Sequence, residues 1–190
     1  NSTIMHSLAM DADELGKDNK ARILYARLLE NPAVEDQIIL EALQVFDAPG
    51  YEAKKSALWL QYLNRHPDYM PFRQNLVSYY MGRKEFDAAL LHLGYLADNN
   101  ENNADFLLAA GRVSQHDLKR PDKALFFYGR YMQNHPEDVQ IKQEISAIQT
   151  ALALDFQAIV ENGGADQLWQ DLNEIALNRQ EIFLEIAELL

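Results

Sequence analysis

The chain carries the same seven-residue signature twice, and the distance between the two copies limits what it can fold into. Residues 62–68 read YLNRHPD and residues 131–137 read YMQNHPE. His66 and His135 are 69 residues apart, which is two steps of about 34–35 residues, and a weaker third copy begins at Tyr95. A period in this range predicts a stack of two-helix units, in which each unit buries its apolar face only against its neighbours.

Apolar residues recur at helical spacing between the turn signals of the first 136 residues. The spacing predicts four pairs of helices, covering residues 2–31, 34–66, 69–100 and 103–135. In the first pair the predicted apolar faces contain Leu8, Leu15, Ile23, Leu24 and Leu28.

The last 54 residues follow a different pattern and are predicted as a C-terminal capping pair of helices, 137–190, in the same continuous domain. A helix of about six turns comes first, and residues 166–190 form the second helix. The apolar face of this second helix is broader than one packing contact requires, and it includes Trp169, Leu172, Phe183 and Ile186. Either this helix folds back on its own chain, or it pairs with a second copy to make a homodimer.

The repeated unit resembles the tetratricopeptide repeat (TPR), of the bacterial type. Gly111 and Ala124 match the small residues where the two helices of that repeat cross, and Tyr128 and Tyr131 match its aromatic positions. Pro136 matches the closing proline. This resemblance implies an all-α, right-handed α-α superhelix of about ten helices, with the first helix of each pair on the concave face.

Two departures weaken the match outside this unit. Glu101 stands where the preceding unit should have its closing proline, and Lys55 occupies the usual small position of the unit that ends at Pro67. The resemblance therefore covers roughly residues 18–136, and it is best in the last two units.

Polar residues remain on the first helices once the predicted core positions are set aside. They form a predicted peptide-binding groove of nine residues: Gln37, Glu41, Gln44, Gln74, Asn75, Ser78, Asp105, Arg112 and Gln115. Such side chains offer donors and acceptors to an extended peptide backbone. Some TPR proteins hold a peptide C-terminus with a clamp of lysine, asparagine and arginine on these helices, and only Asn75 and Arg112 match parts of that clamp. A merely solvated polar surface is the alternative interpretation.

No catalytic pattern stands out. The chain has no cysteine, which excludes disulfides, thiolate metal sites and a cysteine nucleophile. No two histidines have the spacing of three or four residues that would place them on one helix face. His66 and His135 belong to the repeat, while His92 and His116 are predicted on exposed helix surface. We therefore expect no enzyme activity, no cofactor and no metal site.

Charge and hydropathy narrow the choice of partners. The net charge is −12, and residues 137–190 carry eleven acidic residues against Lys142 and Arg179. An acidic chain repels phosphate backbones, so a nucleic-acid partner is not expected. No run of 18 apolar residues occurs, so no membrane span is expected. The compartment stays open: the lack of cysteine favours a bacterial periplasm or cell envelope, and the cytoplasm is the alternative.

These observations predict a non-enzymatic scaffold or adaptor that binds a protein or peptide segment on its concave face. Two alternatives remain. The chain could be a self-assembly module that acts through its C-terminal helix, or a regulatory part of a larger enzyme.

Overall fold

The computed structural model describes residues 2–100 and 103–161, with side chains as far as Asp155. Every regular element in these ranges is helical, which confirms the predicted all-α class. The described chain contains α1 (Ser2–Glu14), α2 (Asp18–Leu28), α3 (Asp36–Val45), α4 (Glu52–Leu63), α5 (Met70–Gly82), α6 (Phe86–Asp98), α7 (Ala104–Arg112), a π-helical turn (Val113–Asp117), α8 (Pro121–Asn134) and α9 (Val139–Glu161). The predicted last helix, residues 166–190, lies outside the described residues.

The chain divides into two compact units, Asn1–Tyr131 and Met132–Leu190. The first unit contains α1 to α7 and most of α8. The described part of the second unit contains the end of α8 and all of α9. The proposed domain organisation, with a capping pair from residue 137 onward, stays a prediction.

In the first unit, each helix from α1 to α7 packs against the next helix along the chain. Leu76 of α5 and Leu96 of α6 are fully buried, and Leu93 of α6 is buried as well. Packing of this kind is local in sequence, which is the arrangement that a helical solenoid requires.

The predicted apolar face of the first pair is largely wrong. Leu8, Leu15 and Ile23 are exposed. The side chains that α1 and α2 bury are instead mostly alanines, together with Tyr25 and the correctly predicted Leu28. Alanine faces allow two helix backbones to approach closely, so the larger residues lie on the outside.

The small buried residue of α4 is Ser56 rather than the residue at position 55. The Ser56 hydroxyl donates a hydrogen bond to the carbonyl of Ala53, which satisfies it within its own helix. The Lys55 side chain is partly buried, and its ammonium lies 2.5 Å from a carboxylate oxygen of Asp47. The apparent departure from the repeat pattern is therefore a shift of one residue.

The predicted crossing at Gly111 is confirmed. A Cβ built on Gly111 would lie 2.5 Å from Cδ1 of Tyr128 and 3.0 Å from its Cζ, so only glycine fits against this ring. Ala124 and Tyr128 are both fully buried at the same place.

The first helix of the pair predicted over residues 103–135 ends in a π-helical turn, Val113–Asp117. The amide of Leu118 donates to the carbonyl of Val113 at 3.0 Å, five residues back, so the turn holds one residue more than an α-helical turn. Ser114 is fully buried in this turn and donates to the Ala110 carbonyl at 2.7 Å.

The repeat is visible in the backbone of the turns as well. Lys84 and Lys119 both adopt positive φ, 61° and 54°, and each lies shortly before the second helix of its pair. They are 35 residues apart. A lysine in this region carries a steric cost, so the turn geometry is imposed by the two helices that it joins.

In the second unit, α9 runs for 23 residues as a single helix, as the spacing of its isoleucines predicts. The amide of Ile141 donates to the Asp138 carboxylate at 3.1 Å, which satisfies one of the free amides at the helix start. Ile141 and Ile148 are buried. Within the described part of the chain, no helix is both long enough and apolar enough to cross a bilayer.

Candidate functional site

The nine predicted groove residues lie on α3, on α5 and on α7 with its π-helical turn. Seven of them are exposed: Gln37, Gln44, Gln74, Asn75, Ser78, Asp105 and Arg112. The other two, Glu41 and Gln115, are partly buried. These two make the contacts within the protein that are described next.

Glu41 belongs to a polar cluster that joins the first three helices. One carboxylate oxygen contacts Nε2 of His6 on α1 at 2.5 Å and accepts a bond from the Tyr25 hydroxyl on α2 at 3.0 Å. The other oxygen accepts from the amide of Gln37 at 2.9 Å. Burial by itself raises the pKa of Glu41, but the three hydrogen bonds outweigh it and lower that pKa. Glu41 therefore joins α1, α2 and α3 through contacts within the protein.

The hydrogen bond to Glu41 also changes the pKa of Tyr25. Burial, followed by its hydrogen bond to the Glu41 carboxylate, raises the pKa of the Tyr25 hydroxyl. The hydroxyl therefore stays protonated and acts as a donor to Glu41.

A depression between α4 and α5 brings two predicted groove residues into one place. Asn75 and Ser78 on α5 face a space of about 290 Å³, and its other wall is formed by Glu52, Lys55 and Trp59 of α4. Tyr79 completes the aromatic part of the lining. The Lys55 ammonium lies 5.5 Å from the centre of the Trp59 ring, within cation–π range.

Sequence reasoning missed the α4 side of this depression. Trp59 is only partly buried, and its ring packs in a tilted arrangement against Phe72 with ring centres 6.4 Å apart. The sequence contained one signal for this surface, Lys55 at a predicted small core position. Lysine is rarely fully buried, so its ammonium is expected to reach solvent.

Gln115 and Arg112 differ in their surroundings. The side-chain oxygen of Gln115 accepts a hydrogen bond from the Tyr128 hydroxyl at 2.9 Å, so the π-helical turn ties Gln115 to α8. Arg112, at the end of α7, is exposed and forms no ion pair with the described residues.

The histidines divide between surface and core. His66, next to the closing proline of its pair, contacts the Asp36 carboxylate at 2.5 Å and packs near the Tyr62 ring. His116 is exposed, as predicted, but His92 is not: only 6% of it is accessible. That prediction was wrong because α6 turns this position toward Tyr80 of α5, whose ring lies parallel to the imidazole at 5.7 Å.

In the described ranges, no three potential ligands among His, Asp and Glu converge as a metal site would require.

The predicted interface residues Trp169, Leu172, Phe183 and Ile186 lie outside the described residues. The self-association proposed for residues 166–190 stays a prediction.

Comparison of this chain with known proteins shows which fold it has. No protein-family model matches the sequence, and neither does any curated protein. Among solved structures, MamA AMB-1 is 17% identical over 88% of this chain and 91% of its own, with a TM-score of 0.51. MamA MSR-1 is 16% identical over 88% and 95%, with a TM-score of 0.47. A thermophilic TPR protein of Thermus thermophilus is 16% identical over 79% and 82%, with a TM-score of 0.40.

MamA is a TPR-like protein. Its fold indicates the same fold class as the stacked helix pairs of this chain, two of whose helices cross at a glycine. The described helices of this chain have a TPR-type fold.

Proposed function

We propose that this protein is a non-enzymatic adaptor that binds an extended segment of a partner protein along the first helices of its pairs and the adjoining face of α4. The observation that carries the proposal is the depression between α4 and α5, where a lysine, an indole, an amide and a hydroxyl surround one open space. A TPR-type fold supports it, because stacked helix pairs present a long surface to a partner.

The chemistry of the depression suits a peptide. Asn75 and Ser78 are exposed and offer both donors and acceptors to a peptide backbone. Trp59 and Tyr79 supply flat apolar surface for one side chain of the ligand. The pair between Lys55 and the largely exposed Asp47 is a surface ion pair, which contributes little to stability, so the ammonium can exchange this partner for a ligand carbonyl or carboxylate.

Arg112 supplies a second anchor in this proposal. It lies on the first helix of the next pair, it is exposed, and it has no ion pair with the described residues. A segment bound along α5 and α7 would meet Asn75 and Arg112 in turn. We leave Glu41 out of the proposed surface because its oxygens are already bonded.

The test uses a library of random peptides displayed on phage and selected on the full chain. Selected peptides are then measured against Asn75→Ala combined with Arg112→Glu. We expect their affinity to fall by at least about tenfold, because the double variant removes one amide and reverses one charge at the proposed anchors.

The matched control is Arg27→Glu combined with Asn64→Ala, which makes the same two changes at exposed positions of α2 and just after α4. Its affinity should stay within about twofold of the wild type. Selected peptides that bind the double variant and the control equally well would contradict the proposed surface.

A further inference from the structure

His92 is the only histidine in the described part of the chain that lies in the core. Only 6% of it is accessible, and its ring lies parallel to that of Tyr80, with the two ring centres 5.7 Å apart. His92 belongs to α6 and Tyr80 to α5, so this stack joins the two helices of one pair. The proposed adaptor function does not use the imidazole, although a contact between two helices in a core is usually made by apolar residues.

The surroundings of the imidazole favour its neutral form. Nδ1 of His92 is buried and has no hydrogen-bond partner among the described residues. Neutral imidazole carries a proton on one ring nitrogen, whereas imidazolium carries an N–H on both. Protonation would therefore place a buried N–H donor at a position without an acceptor, which is unfavourable.

A neighbouring cation also opposes the proton. Burial, followed by the positive charge of Arg73 on α5, lowers the pKa of His92. Arg73 is held in place, because its Nε donates to the carbonyl of Pro67 at 2.8 Å and its guanidinium carbon lies 3.3 Å from the centre of the Tyr95 ring. The face of Tyr80 can attract a cation, but the stack leaves Nδ1 without an acceptor.

No described carboxylate offsets these two effects on the pKa of His92. Besides α5, the elements that pack against α6 are α7 and its π-helical turn. The charged and histidine side chains of α6 and of these two elements do not contribute to the shift. They are Asp87, Asp98, Asp105, Arg112, His116 and Asp117.

The same helix α5 carries one wall of the depression described above. The Tyr80 ring lies 5.3 Å from the ring of Tyr79, centre to centre, and Tyr79 lines the depression together with Asn75 and Ser78. Side chains in contact therefore extend from the buried imidazole to the proposed binding surface. Separation of α6 from α5 would remove the packing that supports this wall.

We propose that His92 makes the contact between α5 and α6 an acid-sensitive latch, which opens when the imidazole takes up a proton. Opening exposes His92 to water, where a histidine has its ordinary pKa of about 6.5. Because the closed pair resists the proton, the equilibrium shifts toward the open pair as the pH falls below this value. A partner bound in the depression would favour the closed pair, and this last step alone rests on the proposed function.

Hydrogen exchange of the full chain at pH 7.5 and pH 5.5, followed by mass spectrometry, measures the opening. After correction for the intrinsic pH dependence of exchange, the opening constant of α5 and α6 should rise about five- to tenfold at pH 5.5, because opening takes up one proton. His92→Phe should remove most of this rise, since phenylalanine keeps the stack and does not titrate. His116→Phe changes an exposed histidine. It is the matched control and should retain the rise.

An NMR titration of the wild-type imidazoles tests the latch without any variant. In the folded chain, the His92 ring should still be neutral at pH 6.5, where a histidine with an ordinary pKa is half protonated. A His92 ring that is half protonated at pH 6.5 or above would overturn the proposal.

The peptides selected on the full chain separate the latch from the proposed function. A peptide bound in the depression should slow exchange in α5 and α6 at both pH values, because it binds the closed pair. If it does not, while the rise at pH 5.5 depends on His92, the latch stands and the depression is not the binding surface. A rise that persists in His92→Phe, or one that is equal in all helices, would contradict the latch.

Discussion

Two side chains decide the packing in the last pairs of the first unit. The Tyr128 ring occupies the space that a Cβ on residue 111 would need, so the crossing of α7 and α8 depends on glycine there. In the preceding pair, the buried His92 of α6 stacks on the Tyr80 ring of α5. Position 111 leaves no room for a side chain, whereas position 92 buries an ionisable imidazole.

The first prediction concerns Gly111. Gly111→Leu should lower the free energy of unfolding by roughly 1–3 kcal/mol or more, because the new side chain must displace a fully buried aromatic ring. Thermal and urea unfolding measure the effect, with Gly129→Leu as the control because its Cβ meets open space. A melting temperature at or above that of the wild type would show that the crossing relaxes at no cost.

The second prediction concerns pH. Burial, followed by the positive charge of Arg73, lowers the pKa of His92 in the folded protein. The unfolded chain therefore binds a proton at His92 more readily than the folded chain does. Stability should be complete above the ordinary histidine pKa of about 6.5 and should fall as the pH drops below it.

Urea unfolding between pH 7.5 and pH 5 measures this loss. His92→Phe should reduce the loss, because phenylalanine keeps the stacking on Tyr80 without a titrating group. His116→Phe is the control, since His116 is exposed. Parallel pH profiles of the wild type and His92→Phe would rule out a contribution from His92.

Among the elements, the turns inside the helix pairs show a consistent geometry with different residues. The turn between α1 and α2 has Gly16 at φ 64°, while the turns before α6 and α8 have Lys84 and Lys119 at nearly the same angle. A left-handed residue ends the first helix of these pairs and lets the chain reverse direction. Lysine is a poor choice for this conformation, so two of the turns are less stable than they could be.

The third prediction follows from this comparison. Lys119→Gly should raise the free energy of unfolding by up to about 1 kcal/mol, because relief of the steric cost exceeds the extra chain entropy of glycine in the unfolded state. The same change at Lys84 should act in the same direction. The control is Lys123→Gly, which places glycine in the first turn of α8 and should destabilise. Lower melting temperatures for both turn variants would contradict the prediction.

For the whole molecule, charge and surface define what it can bind. The whole chain carries a net charge of −12, and α5 and α7 present exposed polar side chains to solvent. Because charges at the surface are screened beyond about 10 Å at 0.1 M salt, binding of basic partners should weaken as salt increases.

The fourth prediction concerns residues 166–190. Trp169→Ala combined with Phe183→Ala distinguishes the two alternatives for the apolar face of this segment. If two copies pair through it, the double variant should become monomeric and remain folded. If the segment folds back on its own chain, the variant should lose stability at unchanged mass. Light scattering and thermal unfolding separate the cases, and a wild-type mass of one chain at every concentration would exclude pairing.

Periodicity along the chain was enough to predict most of the fold. The repeat of the Tyr–His–Pro signature predicted the helix pairs, and the glycine at position 111 with Ala124 and Tyr128 predicted a crossing that the structure confirms. These features are local: the spacing of apolar residues sets where a helix forms, and glycine between aromatic positions indicates a close approach of two helices.

Only the tertiary structure decided which side of each helix faces the core and which surfaces meet. Leu8 and Ile23 are apolar but exposed, and His92 is polar but buried, because the rotation of a helix about its axis depends on the helices packed against it. The depression that joins Lys55 to Asn75 depends on the contact between α4 and α5. No spacing within one helix contains that information, since it arises where side chains distant along the chain come together.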